Sequence, residues 1–129
     1  MKKSPDISVV VPVKNESGNI EGLIQEIDYS LKKFNYEIIY INDGSKDSTG
    51  KELKLILKNN KRLRVISHEE SQGQSAALRS GVIASQSPII ATLDGDGQND
   101  PSDFPGMIKL FRNNTNKFVF VGGVRVNRR

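Results

Sequence analysis

Three oxygen-bearing side chains, Asp94, Asp96 and Gln98, alternate with Gly95 and Gly97 in the stretch LDGDGQNDP, directly behind the apolar run IIAT. In an extended segment residues i and i+2 project to the same side, so this spacing can aim three oxygens at one point. Hard oxygen donors suit Mg2+ or Mn2+, and Mg2+ shares its coordination among carboxylates, waters and the phosphates of a substrate. A diphosphate is therefore the natural complement, and the two glycines leave space for it to approach. Three other readings compete. A calcium loop counted from Asp94 would put Asn99 at its required glycine and Pro105 at its required glutamate, and is rejected. A hydrolase motif with a phosphorylated first aspartate prefers Thr or Ser where Gln98 stands. A ligand-free capped turn accounts for Asp100, which precedes Pro101 at the start of a helix, but less well for Asp94 and Asp96 together.

Two more polar stretches follow apolar runs. In INDGSKDST the carboxylate of Asp43 can accept from a nucleobase N–H or from ribose hydroxyls, although a simple Asp43-Gly44-Ser45 turn also explains it. In PVKNES, Asn15 and Glu16 follow Pro12, and helix capping is the rival explanation. His68, the single histidine, is expected at a surface or edge without a role.

The elements that must position these residues alternate regularly. Short β-rich runs are expected as strands at Ile7 to Val13, Tyr36 to Ile41, Leu63 to Ser67, Ile89 to Leu93 and Phe118 to Val121. Between the first two, Ile20, Leu23, Ile24, Ile27 and Leu31 form a helical stripe, with Ser17 as its expected N-cap. A second helix is expected through Leu53, Ile56 and Leu57 after a Ser48 or Asp47 cap. A fourth is expected through Phe104, Met107, Ile108 and Phe111 behind Asp100. The third, in GQSAALRSGVIAS, has a small-residue face of Ala76, Ala77, Ser80, Gly81 and Ala84 and is expected to pack closely on the sheet. This alternation predicts the α/β class, a doubly wound, mostly parallel sheet with flanking helices. Ligands of such sheets bind beyond the carboxyl ends of the strands, where the polar stretches lie. Glu16, Asp43, Asp47, Glu69, Glu70, Asp94, Asp96 and Asp100 gather there, and their mutual repulsion calls for a cation or a donor-rich ligand.

Composition bounds the rest. A chain of 129 residues, 36% hydrophobic and 26% charged, suits one globular folding unit over residues 1–129. No apolar stretch approaches the roughly 20 residues of a membrane span, and MKKSPDISVVVPV lacks a signal-peptide cleavage site, so a cytoplasmic protein is expected. The chain has no cysteine, which excludes thiolate chemistry and cysteine-based zinc sites. The net charge of +4 is concentrated at Arg125, Arg128 and Arg129, a patch suited to phosphate or an anionic membrane surface. With no Trp and 6% aromatics, nucleic-acid recognition by base stacking has little support.

Together these motifs carry a resemblance to the family 2 glycosyltransferases, nearest the dolichyl- and polyprenyl-phosphate sugar transferases, running from about Ile7 to Arg125. The family's P-x-x-N-E pattern after a strand is met by Pro12, Asn15 and Glu16. Its D-D-G-S-x-D-x-T pattern is met by NDGSKDST, and its D-x-D-x-Q-x-x-P signature by Asp94, Asp96, Gln98 and Pro101. The resemblance implies a GT-A nucleotide-diphospho-sugar transferase fold. It implies a donor site in which Pro12, Val13, Asn15 and Glu16 lie along the base and ribose, Ile41 and Asp43 contact the base, and Asp94 and Gly95 meet the nucleotide-sugar. Asp94, Asp96 and Gln98 would hold Mg2+ or Mn2+, and Arg125 would contact phosphate, making Asp94, Asp96 and Arg125 the catalytic set. Asn42 and Lys14 depart from the family pattern, which leaves the base open. The implied activity is metal-dependent, inverting transfer of a sugar from UDP- or GDP-sugar to a polyprenyl phosphate. Such an acceptor is already ionised and can attack without a general base, and none is evident. The chain ends at RVNRR, where the family continues with an acceptor-binding portion. A truncated protein is therefore expected, peripheral at the membrane through its missing part, and a catalytically incomplete nucleotide-binding fragment is the main alternative, ahead of a phosphatase-like hydrolase.

Overall fold

The computed structural model describes residues 4–93, Pro101, residues 105–106 and the backbone of residues 119–121. The elements run β1 (Ile7–Val13), α1 (Ile20–Ser30), β2 (Tyr36–Asp43), α2 (Thr49–Leu57), β3 (Leu63–His68), α3 (Gln74–Ala84), β4 (Ile89–Thr92) and β5 (Val119–Val121). The strands form one sheet in the order β3-β2-β1-β4-β5, and every pairing is parallel.

Period-two side-chain alternation divides the core into two layers. Ile7, Val9, Val11 and Val13 of β1 and Ile38 and Tyr40 of β2 pack with Ile20, Leu23, Ile24 and Ile27 of α1 and Leu53 of α2. Val10, Ile39, Ile41 and Ile90 face the other way, against Ala77 of α3. Both sides of the central strands are covered, which is why those strands are apolar throughout rather than alternating. The expected close approach of α3 is present: a Cβ on Gly81 would run into Cγ1 of Val10 and come within 2.8 Å of Cδ1 of Ile41.

Several expected boundaries move. β2 runs two residues past its last isoleucine because ladder pairing continues, Val13 with Asn42 and Asp43 with His68. Ser17 does not cap α1, which begins after Asn19; its N–H donates to Asp47 Oδ2 instead. α2 does begin after Ser48, but it is Asp47 that takes the first N–H, that of Thr49. The fourth helix is described only at residues 105–106, with Pro101 buried; Asp100, Phe104, Met107, Ile108 and Phe111 lie outside the described residues.

Candidate functional site

The strand order reverses at β1. The chain builds outward through β2 and β3, then crosses by α3 to place β4 on the other side of β1. The crevice beyond the carboxyl ends of the two strands at such a reversal, here β1 and β4, is where open parallel sheets bind ligands. The loop after β1 carries Asn15 and Glu16. β4 reaches the same point, with Leu93 N–H donating to Val10 O at 3.1 Å. Asp94, Gly95, Asp96 and Gln98, which follow Leu93 in sequence, lie outside the described residues, as does Arg125.

The loop after β1 is held by its neighbour through an unbroken series of backbone donors. Asn15 N–H donates to Ser45 Oγ at 2.9 Å, Glu16 N–H to Thr49 Oγ1 at 3.0 Å, and Ser17 N–H to Asp47 Oδ2 at 3.1 Å. Gly18 N–H reaches the Glu52 carboxylate at 3.0 Å. In return Asn15 Oδ1 accepts Lys46 N–H at 2.8 Å. Asn15 sits at φ 55°, a left-handed conformation that asparagine tolerates better than most side chains. Hydrogen bonds from the Thr49 hydroxyl and N–H hold the Asp47 carboxyl below its ordinary range. The GSKDST segment is thus a bracket for the loop that carries Glu16. Sequence reasoning treated Asp47 only as a helix cap and gave Thr49 no task, although an Asp two residues before a Thr at a helix start is a signal for this arrangement.

Glu16 is half-buried. Its Oε1 accepts Asn19 Nδ2 at 3.0 Å, while Oε2 has no partner among the described residues. Beneath it the hydroxyl of Tyr40 is buried without a described partner. Burial first, then the Glu16 carboxylate, push the Tyr40 pKa up, so the phenol stays neutral and keeps its proton to donate.

Asp43 is occupied differently from what the motif suggests. It is 4% exposed and accepts four hydrogen bonds: Oδ1 from Gln72 N–H (2.9 Å) and from His68 Nδ1 (2.8 Å), Oδ2 from the Ser71 hydroxyl and Gly73 N–H (3.0 Å each). Burial alone would raise its pKa, but these donors outweigh it and hold the carboxyl well below the usual carboxylate range. Four bonds fill the roughly four lone-pair positions of a carboxylate. Gly44 makes this closure possible: its φ is +68°, and a Cβ there would collide with the backbone N of Ser71.

Ile41 is 0% exposed, its side chain clamped under Gly81. Pro12 is likewise buried in β1, and Val13 is 3% exposed, so the strand end contributes backbone rather than side chains. His68 ends the edge strand β3, as expected, and both of its ring nitrogens are engaged: Nδ1 meets Asp43 and Nε2 meets Ser80 Oγ at 2.9 Å. The charge crowding read from sequence is also partly relieved from within, because Asp43 and Asp47 are paired with protein donors. Among the described residues no group of three or more acidic, histidine or cysteine side chains could hold a metal ion.

The model of the glycosyl transferase family 2 domain matches residues 8–129. The chain belongs to glycosyltransferase family 2. Among curated relatives, the dodecaprenyl-phosphate galacturonate synthase of Rhizobium johnstonii is 33% identical over 109 residues, covering 82% of this chain and 32% of that protein. The dolichol-phosphate mannosyltransferase of Pyrococcus furiosus is 31% identical over 107 residues, covering 83% and 30%. The chain thus spans about a third of the length of these relatives. A mannosyltransferase from Pyrobaculum calidifontis, solved with GDP-Man and Mn2+, superposes with a TM-score of 0.65 at 22% identity, over 73% of this chain and 28% of that one. The glucosyl-3-phosphoglycerate synthase of Mycobacterium tuberculosis, solved with Mn2+, UDP and glucosyl-3-phosphoglycerate, gives 0.64 at 27% identity, over 83% and 39%. The fold is the GT-A arrangement expected from the motifs.

Proposed function

We propose that residues 1–129 form one nucleotide-sugar-binding unit of a metal-dependent, inverting glycosyltransferase that moves a sugar from a UDP- or GDP-sugar to a polyprenyl phosphate. The observation that carries this reading is the switch point between β1 and β4, which brings the loop of Glu16 and the strand preceding DGDGQ to one crevice. The named activities of the polyprenyl-phosphate relatives and the nucleotide complexes of the structural neighbours support the donor and acceptor classes.

In this reading the bracketed loop presents the uncommitted Glu16 oxygen to ribose hydroxyls, and the backbone of Val13 and Asn15 borders the base. Asp43 acts one step back, by fixing the loop before α3. The oxygen set of Asp94, Asp96 and Gln98 fits a hard divalent cation, Mg2+ or Mn2+, and these residues follow in sequence directly after β4 and Leu93, at the crevice. Such an ion would neutralise charge on the departing nucleoside diphosphate. Gly95 would leave room for the diphosphate, and Arg125 would supply a further cation to it. The lipid phosphate attacks as an anion, so the chain need furnish no general base. No helix among the described residues is long and apolar enough to cross a membrane, and we place the protein in the cytoplasm with peripheral access to the lipid.

Titration calorimetry with UDP, GDP and their sugars tests the site. Binding should require Mn2+ or Mg2+ and weaken at least about tenfold in Asp96→Ala and in Glu16→Gln. Metal-independent binding, or an Asp96→Ala protein equal to the parent, would overturn the donor site. Metal-dependent binding with no sugar reaching a lipid phosphate would leave a nucleotide-binding module.

A further inference from the structure

The outward face of α2 has no part in the donor site. Lys51, Lys54 and Lys58 recur there at helical spacing, and Lys61 extends the row into the following turn. All four are exposed, and none makes an ion pair with a described residue. The one acidic residue of the helix, Glu52, is turned away, its carboxylate taken by Gly18 N–H and the Ser48 hydroxyl. Two leucines flank the row, Leu55 at 62% exposure and Leu57 at 41%. Lys51, Lys54 and Leu57 also rim a hollow of about 370 Å³ that reaches Val65 of the edge strand β3.

A row of unpaired lysines alone would fit any polyanion. Solvent-exposed leucines set among them point to a partner that offers negative charge and an apolar layer within a few ångströms of each other. That is the boundary of an anionic bilayer, where lysine heads stay at the phosphates while their stems and the leucines enter the acyl region. A nucleic acid offers the charge without the apolar layer, and this face carries no aromatic side chain for stacking.

We infer that the Lys51-Lys54-Lys58-Lys61 face of α2, with Leu55 and Leu57, docks this chain on an anionic lipid surface. The contact uses none of the residues assigned to the donor crevice, and none of the arginines that end the sequence. Because the test uses no nucleotide, its result is independent of the donor-site reading above.

Vesicle sedimentation of the full chain decides it, comparing phosphatidylcholine alone with phosphatidylcholine containing phosphatidylglycerol, at low and high salt. The mixed vesicles should bind the chain, with the binding falling as salt rises. Each lysine neutralised should weaken it about fivefold, so Lys54→Gln with Lys58→Gln should lose about 25-fold. Leu55→Ser should weaken it further at high salt, where the apolar part remains. Circular dichroism of each variant confirms that these exposed substitutions leave the fold intact. Equal binding to both vesicle types would overturn the inference. So would a loss caused by Arg128→Gln with Arg129→Gln but not by the lysine pair, or tighter binding to RNA than to mixed vesicles at the same salt.

Discussion

Strand β2 begins and ends with a buried carboxylate on the same face. Glu37, at its amino end, is 5% exposed, and Asp43, at its carboxyl end, is 4% exposed. Both grip α3, from opposite ends. Glu37 accepts the Ser8 hydroxyl, Gln86 N–H at 3.0 Å and Arg64 Nη1 at 2.7 Å, and Ser8 in turn meets the hydroxyls of Ser85 and Ser87 at 2.8 Å. This closes the exit from α3. Asp43 holds Ser71, Gln72 and Gly73, the entry to α3, where a carboxylate also meets the positive end of the helix dipole. The cross-strand partner differs too. Arg64 reaches Glu37 through Nη1 and also Ala84 O, whereas His68 bridges Asp43 through Nδ1 and Ser80 through Nε2. The amino end is a lock far from the crevice. The carboxyl end combines locking with the shaping of a loop beside the candidate site.

The largest expected effect separates these two locks. Asp43→Ala strands two backbone donors, a hydroxyl and an imidazole, and should cost about 3 kcal/mol in urea unfolding. Glu37→Ala should cost about 2 kcal/mol, because Arg64 is 41% exposed and can turn to water. Amide exchange should then rise at Gln72 and Gly73 in the first variant and at Gln86 in the second. Exchange rising at both ends in either variant would mean that α3 is released as a unit. Gly81→Ala, between the two grips, should cost about 2 kcal/mol, since Val10 is β-branched and cannot swing clear of an added methyl. A neutral result in thermal unfolding would show that α3 can shift outward and that the grips are compliant.

Acid gives the smallest effect and tests the carboxyl end alone. The folded Asp43 pKa lies below its ordinary 3.8, so between the two values the unfolded chain binds more protons. The contribution to stability is complete above about pH 5 and is lost as pH falls through the ordinary value towards the folded one. Between pH 5 and pH 3 the parent should lose about 1 kcal/mol more stability than Asp43→Asn. Parallel pH profiles for the two proteins would remove Asp43 from the acid response.

Much of the fold was legible because its signals are local. β1 begins and ends where its apolar run does, and the small face of α3 announced its close packing before any partner was known. The donor-site motifs were legible as types, but their division of labour was not. NDGSKDST reads as a ligand-contacting stretch, yet Asp43 and Asp47 spend their oxygens on the protein. The donors to Asp43 and the Ser17 N–H on Asp47 stand 25 to 30 positions away in the chain, and only Thr49 on Asp47 is a near neighbour. His68 was passed over for the same reason: nothing near it in sequence indicates that β3 will pair it with Asp43.

Sequence alone determined the alternating α/β order, the strand ends on which function gathers, and the oxygen-rich DGDGQ run suited to a cation. These follow from periodicity and side-chain chemistry, which neighbouring residues express without tertiary contact. Tertiary structure decided which carboxylates remain available. Pairing β2 with β3 filled the lone pairs of Asp43, docking the loop after β1 on the start of α2 left Glu16 with one oxygen unpartnered among the described residues, and placing β4 beside β1 put the crevice between them. Beyond near neighbours such as Asp47 and Thr49, lone-pair occupancy is a property of donors brought together by folding, which a local pattern does not express.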